Sequence, residues 1–193
     1  VFPVGTTIVT YTATDAAGNT ATATQEVTVT DTTAPTLAVP AAVHRSADPD
    51  SCAAFISDED LGAAAASDNC AGAVTHERTG VPAGNMFPLG TTTIQYTATD
   101  ASGNVTSQTQ TVTVADNTLP AVQAPPPITR SADANSCGVV ISDEDLGAAT
   151  ASDNCGGVTV TRDVPAGNFF PVGPTVITYT ATDAAGNTAT ATQ

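Results

Sequence analysis

The 193 residues include no tryptophan, no lysine and one methionine, and aromatic residues make up only 4% of the chain. With so few large side chains, each domain has little apolar area to bury, and a core of small residues needs support from cross-links or ions. Four arginines stand against 19 acids, for a net charge of −15. A surface of that sign repels phosphate backbones and anionic lipid, and argues against nucleic-acid and direct membrane partners. The chain carries no initiator methionine, no charged and apolar leader, and no apolar run long enough to span a bilayer. Also missing are G-x-S-x-G, the phosphate-cradling G-x-x-x-x-G-K and H-E-x-x-H.

What the chain does contain is repetition. The stretch from Phe2 to Gln25, FPVGTTIVTYTATDAAGNTATATQ, returns from Phe87 to Gln110 and again from Phe170 to Gln193, after 85 and then 83 residues. That period is too long for a helical or leucine-rich solenoid and suits one small β domain per repeat. We expect three parts: the C-terminal part of a domain over 1–33, a complete domain over 34–118, and a domain over 119–193 that lacks its last strand. Gln193 falls where Gln25 falls, and Glu26 to Thr30 would continue the pattern without a seam. The expectation is a window cut from a longer polymer built on a 168-residue, two-domain unit.

Threonine and valine with frequent glycine and proline favour strands. Between Thr92 and Asp100 the residues Ile94, Tyr96 and Ala98 share one face while Thr93, Gln95, Thr97 and Thr99 share the other, the period of a half-buried strand. Asp100-Ala101-Ser102-Gly103-Asn104 is a hairpin turn, after which Val112 and Val114 point inward. Ser57 to Gly62 and Ser67 to Cys70 read as acidic turns, and the alanine-rich Gly62–Ser67 as the one plausible helical turn. Short strands with turns every 8 to 12 residues predict an all-β fold of tandem immunoglobulin-like β-sandwich domains, arranged as beads on a string.

The run F-P-x-G-x-T-x-x-x-Y-T-A-T-D-x-x-G-N, preceded by S-D-N-C and an upstream cysteine, resembles the hyalin repeat, or HYR, domain along the whole chain. That resemblance implies an immunoglobulin-like or fibronectin-like fold, tandem occurrence on secreted and cell-surface proteins, adhesion, and no catalytic residues. The dense alanine and threonine content and the near-identity of the copies resemble a bacterial surface array more than an animal module.

The cysteines come as Cys52 with Cys70 and Cys137 with Cys155, each pair 18 residues apart and one pair per repeat. Zinc sites would want C-x-x-C or clustered histidines, so we expect two intradomain disulfides and an extracellular or cell-surface location. Of the two histidines, His44 is replaced by Thr129 in the third repeat and His76 by a residue at or near Val160, so neither serves a shared function and we expect no enzyme. Calcium is the cofactor the acids suit, because hard cations want several converging oxygens. Its candidate ligands are Asp58, Asp60, Asp143 and Asp145 in the acidic turns, with Asp68 and Asp153 near, and Asp31 and Asp116 in the linkers, which faintly resemble cadherin linkers. The same acids equally serve as turn-forming and solubilising residues. Candidate glycan acceptors are Asn104, in the sequon Asn104-Val105-Thr106, and Thr32; the alternative is that threonine is simply a good solvent-facing strand residue. Two functions remain open. One is a rigid disulfide-stapled spacer in an extracellular filament, stalk or adhesin, whose partners are neighbouring copies of the repeat. The other is an adhesive or carbohydrate-binding module for an extracellular glycan or surface partner.

Overall fold

The computed structural model describes all 193 residues. The first 29 form one antiparallel ladder, β1 (Gly5–Thr14) with β2 (Thr20–Val29). The middle repeat supplies β3 (Thr36–Ala38), β4 (Val43–Ser46), β5 (Ala53–Phe55), the one-turn helix α1 (Asp58–Leu61), β6 (Ala65–Ser67), β7 (Thr75–Thr79), β8 (Met86–Pro88), β9 (Gly90–Thr99) and β10 (Val105–Ala115). The third repeats the order with β11 (Ala121–Gln123), β12 (Gly138–Val140), α2 (Asp143–Leu146), β13 (Thr150–Ser152), β14 (Thr159–Asp163), β15 (Phe169–Pro171), β16 (Thr178–Thr182) and β17 (Thr188–Thr192). In the middle repeat β3 pairs with β6, β5 with β8, and β4-β10-β9-β7 form a four-stranded sheet. The fold is all-β, and β9 buries Ile94, Tyr96 and Ala98 on one face as their alternation implies. The third repeat has no counterpart of β4. In the middle repeat that strand runs parallel to Val112–Ala115.

The helical turn is not where alanine content places it. Ala65–Ser67 is strand β6, with Ala66 opposite Leu37, and the helix comes earlier, at Asp58–Leu61. Capping outweighs propensity. The Ser57 hydroxyl accepts from the Asp60 N–H at 3.1 Å, three acids fill the first turn where the helix end favours negative charge, and Gly62 with φ 78° closes it. Ser142, Asp143–Asp145 and Gly147 build α2 in the same way.

Compact units do not follow the repeat boundaries. One comprises residues 1–42, 57–81 and 93–111, the other 43–56, 82–92 and 112–193. In the first unit β7 pairs with Gln95–Thr99, and in the second β4 pairs with Val112–Ala115. In the first unit Leu37, Leu61, Ile94, Tyr96 and Ala98 are buried. In the second, Ala54, Ile56, Phe87, Val112 and Val114 are buried, and a further cluster comprises Ile141, Leu146, Phe170, Ile177 and Tyr179.

At the centre of the first unit lies a polar residue. Gln110 is 2% exposed, accepts from the Tyr96 hydroxyl at 2.8 Å, and donates to the Ala41 and Leu61 carbonyls at 2.7 and 3.0 Å. Tyr179 and Gln193 repeat this against Pro126 and Leu146, and Tyr11 and Gln25 repeat the hydroxyl bond at 2.7 Å. Carbonyls of segments that no strand partner serves are thereby satisfied inside a small core, where an unmade hydrogen bond costs about 1–3 kcal/mol. Gln110→Leu strands three groups and is expected to lose about 3–5 kcal/mol in denaturant unfolding, while Tyr96→Phe loses about 1–2 kcal/mol. Wild-type stability in the leucine variant would remove Gln110 from this role.

Candidate functional site

The motif T-A-T-D-x-x-G-N makes a locked turn. The Asp100 Oδ1 accepts from the Ser102 and Asn104 N–H groups at 2.9 and 2.8 Å, and its Oδ2 from the Asn104 side-chain amide at 2.8 Å. The same Asn104 amide donates to the Asp31 carbonyl at 3.2 Å, two residues past the end of β2, and the Thr106 hydroxyl donates to the Pro35 carbonyl at 2.6 Å. The next copy repeats this, with Asn187 bonded to Asp183 and, at 3.2 Å, to the Asp116 carbonyl just after β10. Each linker is therefore gripped by the hairpin of the repeat that follows it. Burial would raise the Asp100 and Asp183 carboxyls, but the bonds from Asn104 and Asn187 and the turn N–H groups outweigh it and hold both below the ordinary aspartate value.

Beside each linker an acid and a thiol close in. Asp31, Asp68 and Cys70 form one group and Asp116, Asp153 and Cys155 the other, each with ligand atoms within 4.8 Å of one another. Asp31 and Asp116 accept from the N–H groups of Thr33 and Thr118, and Asp68 and Asp153 from those of Cys70 and Cys155 at 2.8 Å. The other oxygens of Asp68 and Asp153 are buried without a hydrogen-bond partner. Burial, then the neighbouring Asp31, raises the Cys70 thiol; burial, then Cys52 and Asp116, pushes Cys155 up to about 12. Of the sequence candidates for calcium, Asp31 and Asp116 meet further donors here. As a donor set the groups fit calcium only in part: the carboxylates are hard ligands, but the third member is a soft sulfur that suits zinc better.

The acidic turns are organised differently. Asp58 pairs with Arg78 and Asp143 with Arg162, Asp145 lies 3.4 Å from Arg130, and Asp60 bonds the capping Ser57. These carboxylates hold helix ends and cations. The exposed ion pairs among them are worth little individually.

The four cysteines lie in two different surroundings, Cys52 and Cys137 exposed and Cys70 and Cys155 half-buried. Cys52 does not meet Cys70, whose neighbours are Asp31, Asp68 and Asp100, and the cysteine brought to Cys155 is Cys52 rather than Cys137. An 18-residue spacing says nothing about which end of a staggered sandwich each cysteine occupies. Asn104, the sequon residue, is part-buried with its amide nitrogen engaged twice, so a glycan there would break the linker contact. Thr32 is exposed, and His44 and His76 are exposed on β4 and β7.

A family model for the HYR domain matches residues 1–29, 30–114 and 115–193. The chain belongs to the HYR domain family. It is 42% identical over 200 residues to hyalin of Lytechinus variegatus, covering 100% of this chain and 36% of that one, and 37% identical over 202 residues to hyalin of Strongylocentrotus purpuratus, covering 97% and 16%. A sushi, von Willebrand factor type A, EGF and pentraxin domain-containing protein of Rattus norvegicus is 38% identical over 112 residues, covering 54% of this chain and 3% of its own length. The chain thus spans about a third or less of these relatives. All three are animal proteins, which leaves the bacterial expectation without support. Among solved structures, a protocadherin gammaB7 EC3-6 cis-dimer superposes loosely, with a TM-score of 0.39 and 14% identity over 97% of this chain and 57% of that one.

The lowered carboxyls give the HYR hairpins an acid limit. Their contribution is complete above the unfolded aspartate value of about 3.9 and is lost as pH falls through the lower folded-state value. Thermal melts are expected to weaken across that window, and Asn104→Ala, which removes the amide that lowers Asp100, to flatten the dependence; an unchanged slope in this variant would contradict the assignment.

Proposed function

We propose that these HYR domains form a spacer segment of an extracellular adhesion-related protein, whose principal partners are neighbouring copies of the same repeat. The observation that carries this reading is the linker grip, Asn104 to Asp31 and Asn187 to Asp116, made with the same 3.2 Å bond in successive repeats. A linker held by a turn and followed by proline keeps little freedom to hinge. The hyalin relatives favour the same reading. The adhesive alternative is weakened for sugar stacking through Tyr96 and Tyr179, which are buried, and draws its support from Phe55 opposite Met86, both exposed on β5 and β8, and from Phe169 opposite Val140 in the next repeat. In small-angle scattering of chains with increasing repeat number, the maximum dimension is expected to grow linearly, and Asn104→Ala with Asn187→Ala to shorten it at equal length. Saturable glycan binding abolished by Phe55→Ser, with no change in dimension in the asparagine variants, would favour the alternative.

Calcium at Asp116 and Asp153 is a second reading, favoured by the orphaned Asp153 oxygen beside a second carboxylate. A cation bound only to the folded state raises Tm by mass action. Calcium is expected to raise Tm and Asp116→Asn to abolish the rise, with sodium chloride at matched ionic strength unable to replace it. A melt indifferent to calcium and chelator would sink this reading.

A further inference from the structure

We propose that Cys52 and Cys155 form a disulfide that joins consecutive repeats across their junction. Both lie in the same compact unit, although 103 residues separate them in sequence. The two segments cross-bond reciprocally. The Cys52 thiol donates to the Asn154 carbonyl at 3.3 Å, the Asn154 amide to the Ser51 carbonyl at 3.2 Å, and the Cys155 thiol faces the same Ser51 carbonyl at 3.8 Å. Each cysteine thus sits against the backbone that carries the other, and the Asn154 clamp fixes their approach before any covalent bond forms.

The repeat gives an independent sign of the same geometry. Leu89 donates its N–H to the Cys52 carbonyl, and Val172 does so to the Cys137 carbonyl. Val4 holds the corresponding place in the first copy, and Val4 lines the small space around Cys70, Asp31 and Asp68. The segment that neighbours the first cysteine of a repeat thus lies against the second cysteine of the repeat that follows. Cys70 occupies the position of Cys155 and Cys137 that of Cys52, so the proposed bond does not involve them.

Formation needs an oxidant, and a small-molecule disulfide such as oxidised glutathione supplies one. The exposed Cys52, as thiolate, attacks one sulfur of that disulfide and releases one thiol. Deprotonated Cys155 then attacks the Cys52 sulfur of the mixed disulfide and releases the second. Two protein thiols are oxidised, one small disulfide is reduced to two thiols, and the two protons leave with them.

The test oxidises the full 193-residue chain with a glutathione redox buffer, blocks free thiols, and maps peptides without reduction. Cleavage after Glu26, Glu59, Glu77 and Glu144 places each cysteine in its own fragment, 27–59, 60–77, 78–144 and 145–193. The expected product links 27–59 to 145–193, with 60–77 and 78–144 alkylated, and Cys52→Ser restores alkylation of Cys155 at least ten-fold. Linkage of 27–59 to 60–77, linkage of 78–144 to 145–193, or four alkylated fragments after oxidation would each overturn the proposal. So would protection of Cys155 that a metal chelator removes.

Discussion

The hydrogen bond from a hairpin asparagine to a linker carbonyl is the constraint on which the rest of this molecule depends. The chain has few large side chains with which to press one segment on another, so position is set by directional polar contacts, which are costly to leave unmade once buried. Asp100 and Asp183 organise the turn, Asn104 and Asn187 reach out of it, and the backbone of Asp31 and Asp116 is thereby fixed where one repeat hands over to the next. The carboxylate and thiol groups beside each linker follow from that placement.

The same economy governs the interior. Gln110 and Gln193 do with one amide what a larger core would do with packing, tying a hydroxyl to two carbonyls from different parts of the fold. β7 pairs with Gln95–Thr99 of β9 and β4 with Val112–Ala115 of β10, residues that belong to different compact units. Covalent repeats and compact units therefore need not coincide.

Much was legible from residues alone. The alternation of Ile94, Tyr96 and Ala98 against threonines reads directly as a buried face, and all three are buried. Asp100 to Asn104 reads as a turn because glycine and asparagine tolerate its backbone. What was not legible depends on contacts between distant segments. Ser57 ahead of three acids is a capping pattern that outweighed the alanines after it, and the S-x-x-D spacing was the available signal. Gln110 gave no hint in a run of threonines, beyond its recurrence as Gln25 and Gln193. The cysteine spacing suggests pairs within a repeat, and no count of intervening residues reports that the Cys52 thiol reaches the Asn154 carbonyl beside Cys155.

The most direct measurement is hydrogen exchange at the side-chain amides of the three turn asparagines, resolved by NMR in the intact chain. Asn19 bonds its own Asp15 just as Asn104 and Asn187 bond Asp100 and Asp183, and it serves as the internal reference because these two alone carry the added bond to Asp31 or Asp116. Exchange at Asn104 and Asn187 at least ten-fold slower than at Asn19 is the result the linker grip requires. Equal rates at all three would mean that the turns hold only themselves and that the linkers are free.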